Sequence, residues 1–168
     1  MAFLEGNGIR PGDKVVILSQ NMPHWGIVYF ALQCMGVVAV PVLPEFSAAE
    51  VEHVLQHSEA RAVFISESLA HRLKEISSVS PELVVRIDDM EVTSSRGEHA
   101  VFTNGLQPAG TYDPDENALA VLLYTSGTTG NAKSVMLSQK NILTNVMQGN
   151  SVQPVSSSDN FLSVLPLA

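Results

Sequence analysis

The chain has 168 residues, enough for one domain with its own core and too few for two comfortable ones. Hydrophobic residues make up 45% and charged residues 15%, which excludes a disordered or fibrous chain. Seventeen acidic against nine basic residues give a formal charge of −8. Nucleic acid and anionic membrane surfaces, which both call for a basic face, are therefore not expected partners.

The start, Met-Ala-Phe-Leu-Glu-Gly-Asn-Gly, has neither a basic n-region nor a long apolar h-region, so no signal peptide is expected. A turn at Gly12-Asp13 precedes the apolar run Lys14-Val-Val-Ile-Leu-Ser19, of the buried-strand type. Asn21 is placed to cap a helix with Pro23 in its first turn, running to about Met35 and presenting Ile27, Phe30, Ala31 and Cys34 on one side. Gly36 stops it, and residues 37–42, with Pro41, read as a strand or strand end. Gln33, two glycines and Pro41 interrupt the apolar stretch 25–43, so it reads as helix plus strand and no transmembrane segment is expected.

Ser47-Ala-Ala-Glu50 has capping-box spacing, and Val51, Val54 and Leu55 then share a helical face. The β-branched run Ala62-Val-Phe-Ile-Ser66 comes next, then helical spacing at Leu69, Leu73 and Ile76, then the strand-like Leu83-Val-Val-Arg-Ile87. This strand–helix alternation predicts an α/β fold, a mainly parallel sheet with flanking crossover helices. Periodicity vanishes over residues 88–117, a polar, turn-rich stretch expected to contain a mobile segment. The expected organisation is a single partial domain over 1–168: an α/β subdomain at 1–90, a loop at 91–117, and a strand, phosphate-binding loop and helix at 118–168.

The one cysteine, Cys34, can form no internal disulfide and is expected to pack in a core, which together with the missing signal peptide points to a reduced, cytoplasmic location. His53 and His57 are spaced i, i+4, but no third ligand accompanies them, so they read as surface histidines and no metal site is assigned.

The chemistry concentrates after the loop. Leu119-Ala-Val-Leu-Leu-Tyr-Thr125 is strand-like and runs into Ser126-Gly-Thr-Thr-Gly-Asn-Ala-Lys133. Gly127 and Gly130 allow close backbone approach to a ligand, and successive N–H groups can converge on anionic oxygens. The hydroxyls of Thr125, Ser126, Thr128 and Thr129 add neutral donors, and Lys133 adds a cation. Residues 134–137 suit a second short strand, with Ser138 capping a helix that carries Ile142 and Val146. Thr125, Ser126, Gly127, Thr128, Thr129, Gly130 and Lys133 are thus the candidate phosphate-binding residues; no catalytic acid or base is assigned.

Tyr124-Thr-Ser-Gly-Thr-Thr-Gly-Asn-Ala-Lys133 resembles the phosphate-binding signature of the adenylate-forming superfamily: acyl-CoA synthetases, luciferases and peptide-synthetase adenylation domains. Gly8-Ile-Arg-Pro-Gly-Asp-Lys-Val15, Asn21-Met-Pro-His-Trp25, Gly36-Val-Val-Ala-Val-Pro41 and Phe161-Leu-Ser-Val-Leu-Pro-Leu167 are similar to family segments in the family's order. Val42-Leu-Pro-Glu-Phe-Ser47 and the segment Phe161–Leu167 bring the resemblance nearest to long-chain fatty acid–CoA ligases. Ala132 stands where the family usually has proline, and Ser134 where it has glycine. The resemblance implies an ATP-dependent acid–CoA ligase that converts a carboxylic acid to acyl-AMP and passes the acyl group to CoA, with ATP, Mg2+ and CoA as substrates or cofactors. It also implies that nucleoside contacts, a magnesium carboxylate and a late lysine lie beyond Ala168, so the chain is expected to be an amino-terminal piece, inactive alone. Neither the acid nor an oligomeric state can be read from these residues. Two alternatives stay open: a stand-alone nucleotide-binding module, and an NTPase, because Gly127-Thr-Thr-Gly-Asn-Ala-Lys-Ser134 is one residue short of GxxxxGK[ST]. An NTPase of that type would start a helix straight after Lys133.

Overall fold

A computed structural model describes residues 1–97, 112–113, 115–125, 133–163 and 165–167. In chain order these form α1 (Ala2–Gly6), β1 (Lys14–Leu18), α2 (Pro23–Cys34), β2 (Val38–Val42), α3 (Ala48–Ser58), β3 (Ala62–Ile65) and a 3-10 turn at Glu67–Leu69. The chain continues through α4 (His71–Lys74), β4 (Leu83–Arg86), β5 (Glu91–Ser95), β6 (Leu119–Thr125), β7 (Lys133–Ser138) and α5 (Gln139–Val152).

The strands form one sheet of seven in the order β5-β4-β3-β1-β2-β6-β7. The inner five run parallel, while β5 and β7 lie antiparallel at the two edges. The α/β, mainly parallel architecture expected from the sequence is the one observed. Both faces are covered, which is why the inner strands read as continuous apolar runs rather than alternating ones. Val15 and Ile17 of β1 join Trp25, Val28, Leu32 and Phe64 in one cluster. Val16 and Leu18 turn the other way, onto Val51, Val54 and Leu55 of α3. Pro41 sits within β2 opposite Ile17, two residues past the Ala39↔Val121 pairing that joins β2 to β6. Arg61 fastens the strand starts on one side, donating to Asp13 at 2.8 Å, to Glu82 at 2.6 Å and to the Gly8 carbonyl at 3.0 Å.

Several sequence expectations need correction. In α2 the buried residues are Trp25, Val28 and Leu32, whereas Ile27 and Phe30 are 59% and 66% exposed. The helix is apolar nearly all round, so its pattern does not choose a face; the indole, stacked on Tyr29 at 5.2 Å, takes the inner one. Cys34 lies on the outer side and is exposed, not packed in a core. Asn21 does not cap α2: Met22 occupies the N-cap, with no side-chain cap bond. The segment read as one loop from residue 91 instead opens with β5, paired to β4 through a turn in which Met90 takes φ 62°. The helical spacing at Leu69, Leu73 and Ile76 yields only the 3-10 turn and the single turn α4.

Candidate phosphate-binding site

β6 is apolar along Leu119–Thr125 and places Ala120, Val121, Leu122 and Tyr124 in the interior. β7 returns antiparallel beside it, with Thr125 opposite Lys133 and Tyr124 opposite Ser134. Thr125 and Lys133 therefore form the base of a hairpin, and both are exposed. Lys133 makes no ion pair with a described residue. Of the other candidate residues, Ser126, Gly127, Thr128, Thr129 and Gly130 lie outside the described residues. Lys133 opens a strand, not the helix that a GxxxxGK[ST] loop requires, and Ser134 is engaged in a β-ladder.

The helix after β7 starts as expected. Ser138 caps α5, its hydroxyl accepting from the Asn141 amide at 3.2 Å while the Asn141 side-chain oxygen accepts from Ser138 N–H at 2.9 Å. Gln33 ties this unit to α2, donating to the Ala120 carbonyl at 3.1 Å and accepting from the Gln139 side chain at 2.9 Å. Lys140 pairs with Glu116 at 2.9 Å.

Two residues carry contacts that sequence reasoning did not assign. His57, in the last turn of α3, brings Nδ1 to 2.7 Å from the Tyr124 hydroxyl. Burial pushes the Tyr124 phenol above its ordinary pKa, so the hydroxyl stays protonated near neutrality. Asn21 donates from Nδ2 to the Leu165 carbonyl at 2.7 Å and accepts from Leu167 N–H at 3.0 Å. Its side chain thus holds the 165–167 backbone instead of capping a helix. The i, i+4 spacing of His53 and His57 marks their helix face, but nothing in the sequence links that face to a tyrosine 67 positions away.

Residues 2–168 match the family described as AMP-binding enzyme. The chain belongs to that family. It is 33% identical over 174 aligned positions to the long-chain-fatty-acid–CoA ligase FadD15 of Mycobacterium bovis, covering 96% of this chain and 28% of that protein. It is 31% identical to the peroxisomal long chain acyl-CoA synthetase 6 of Arabidopsis thaliana, covering 96% and 25%. Among solved structures, o-succinylbenzoate CoA synthetase (MenE) of Bacillus subtilis with its acyl-adenylate intermediate superposes with a TM-score of 0.73 at 24% identity, over 99% of this chain and 40% of that one. The last likeness speaks to fold alone. The chain thus spans about a quarter of the length of these two ligases.

As an AMP-binding family member the chain carries the adenylate-forming architecture expected from its motifs. Among the described residues no helix is long and apolar enough to cross a membrane. Nor does any group of three or more His, Cys, Asp or Glu gather among them to hold a metal.

Proposed function

We propose that these 168 residues are one partial domain of an ATP-dependent acid–CoA ligase, of the long-chain fatty acid–CoA ligase type, in which residues 125–133 bind ATP phosphates. The observation that carries this reading is the hairpin base. Lys133, in no ion pair among the described residues, faces Thr125 across an antiparallel ladder, and a glycine- and hydroxyl-rich segment joins the two. In that reaction a carboxylate oxygen attacks the α-phosphorus of ATP, the bond to the β-phosphate oxygen breaks, and pyrophosphate leaves. The thiolate of CoA then attacks the acyl carbon and AMP departs. Lys133 faces the leaving pyrophosphate, and the Thr125, Ser126, Thr128 and Thr129 hydroxyls with the Gly127 and Gly130 backbone supply neutral donors. Mg2+ enters as the ion carried on the ATP phosphates. The cytoplasmic location proposed with this reading rests on the lone Cys34, which can form no internal disulfide.

In the complete enzyme Lys133→Ala is expected to slow acid-dependent pyrophosphate exchange by about 2–4 kcal/mol in barrier, as for other single electrostatic donors. Thr129→Ala should cost about 0.5–1.5 kcal/mol and Ser134→Gly almost nothing. An NTPase would order these differently, because Ser134 would ligate magnesium there. Loss of exchange in Ser134→Gly with a mild Lys133→Ala would refute the ligase reading. The isolated 168 residues, spanning so little of their relatives, are expected to form no acyl-adenylate; turnover of a fatty-acid panel by this chain would contradict that.

A further inference from the structure

We propose that His57 is a positioning residue for the phosphate-binding hairpin: its hydrogen bond to the Tyr124 hydroxyl fixes the end of β6 and so sets the Thr125–Lys133 base. This rests on the phosphate-binding reading of residues 125–133.

The support available to that base is uneven. Within the described sheet β7 pairs with β6 alone, and beyond that ladder the unit is tied by Gln139, which donates to the Gln33 side chain at 2.9 Å and to the Ala118 carbonyl at 3.2 Å. β6 in turn pairs with β2 at Ala39↔Val121, four residues before Thr125. Beyond that pairing β6 keeps β7 as its ladder partner, and Tyr124 is its last interior side chain among the described residues. Its ring meets the His57 imidazole edge-on, with centroids 5.7 Å apart and planes at 88°, and its hydroxyl lies 2.7 Å from Nδ1. In either neutral tautomer one partner donates and the other accepts, so the bond survives a tautomer switch. α3 is a sound anchor, since Val51, Val54 and Leu55 bury it against the sheet. Helix, imidazole and phenol thus form a strut from the core to the residue that precedes Thr125. A strut of this kind limits how far Thr125, and Lys133 opposite it in the ladder, can stray from the geometry that meets an anion.

The test uses the 168-residue chain and its His57→Leu, His57→Gln, Tyr124→Phe and His57→Leu/Tyr124→Phe variants. Inorganic tripolyphosphate and, separately, Mg-ATP are titrated by calorimetry, and amide hydrogen exchange is read at Tyr124, Thr125 and Ser134. His57→Leu and Tyr124→Phe are each expected to weaken tripolyphosphate binding about two- to tenfold, the worth of one net hydrogen bond. The double variant should lose no more than either single one, and His57→Gln, which can still bond a hydroxyl, should keep most of the affinity. Exchange at Thr125 should quicken in both single variants. A merely structural histidine would lower the melting midpoint and leave affinity and the glutamine rescue unmoved. Wild-type affinity in His57→Leu, or additive losses in the double variant, overturns the proposal. If the unmodified chain binds neither probe, the phosphate-binding reading falls by itself. Exchange then decides the strut: faster exchange at Thr125 in His57→Leu upholds it, and unchanged exchange overturns it.

Discussion

Residues 14–87 and residues 133–167 are built by the same local rules and end in different states. The first stretch is covered: β1, β2 and β3 are buried on both faces of the sheet, and α2 and α3 each sink a face into it. The second also has a strand and a well-capped helix, yet neither β7 nor α5 has a buried residue. Val135, Met136, Leu143, Val146, Phe161 and Leu162 there are exposed. The contrast shows that sequence-local signals are enough to build an element, whereas burying it requires a surface to pack against. Lys133, the candidate binding lysine, belongs to the second stretch and is exposed.

The largest expected difference between the two regions is in side-chain truncation. Phe64, 1% exposed, lies in the first core cluster, and Phe64→Ala should cost about 3–5 kcal/mol through lost transfer energy and the cavity left behind. Met136 on β7 is 66% exposed, so Met136→Ala should stay within about 0.5 kcal/mol. Urea unfolding of both variants reads the contrast directly. A cost for Met136→Ala approaching that of Phe64→Ala would mean that β7 is covered in solution, and the contrast would then vanish.

A middle-sized effect is expected where the chain between the two regions touches the first. Gly36 takes φ +65°, in the left-handed region, and a Cβ there would overlap the Tyr112 ring. Its carbonyl accepts from Gly12 N–H at 2.8 Å, so the turn cannot simply relax. Gly36→Ala should cost about 1–3 kcal/mol for the backbone conformation, with the ring clash added. Pairing it with Tyr112→Ala removes the clash and leaves the conformational part. A double variant no more stable than Gly36→Ala would show that Tyr112 does not pack on this turn in solution.

What the sequence discloses obeys the same division. The inner strands were legible because a strand buried on both faces must be apolar without a break, as in Val15 to Leu18. α3 was legible because Ser47 and Glu50 fix its start and its apolar residues occupy one face. α2 offered apolar residues all round, so Ile27 and Phe30 looked as core-like as Trp25 and Val28. β5, Glu-Val-Thr-Ser-Ser, is a polar edge strand whose existence depends on β4 beside it, and no periodicity announces it. At the candidate site the anion-binding residue types stand together in the chain and could be read off. The His57–Tyr124 contact and the Asn21 grip on residues 165–167 join distant segments, so only the fold reveals them.

The smallest expected effect compares the two helix starts, which differ by one functional group. Ser47 and Ser138 each cap a helix through a reciprocal box, but the partner three residues on is the carboxylate Glu50 in α3 and the amide Asn141 in α5. In α3, Ser47 N–H and Oγ both donate to Glu50 at 2.8 Å. Those bonds, the backbone one first, hold the Glu50 carboxyl below its ordinary pKa. A depressed folded-state pKa contributes stability that is present above the unfolded-state value and lost as pH falls through the folded-state value. The α3 cap should therefore weaken on acidification into and below the usual glutamate range, and Glu50→Gln should abolish that dependence. The α5 cap, having no titrating group, should not respond. Ser47→Ala should cost about 0.5–2 kcal/mol at neutral pH and less at acid pH, where the box is already half undone. Amide exchange at Glu50 and Asn141, tracked from neutral pH downwards and corrected for intrinsic rates, separates the two. Equal pH responses at both helix starts would show that the carboxylate adds nothing to the α3 box that an amide does not.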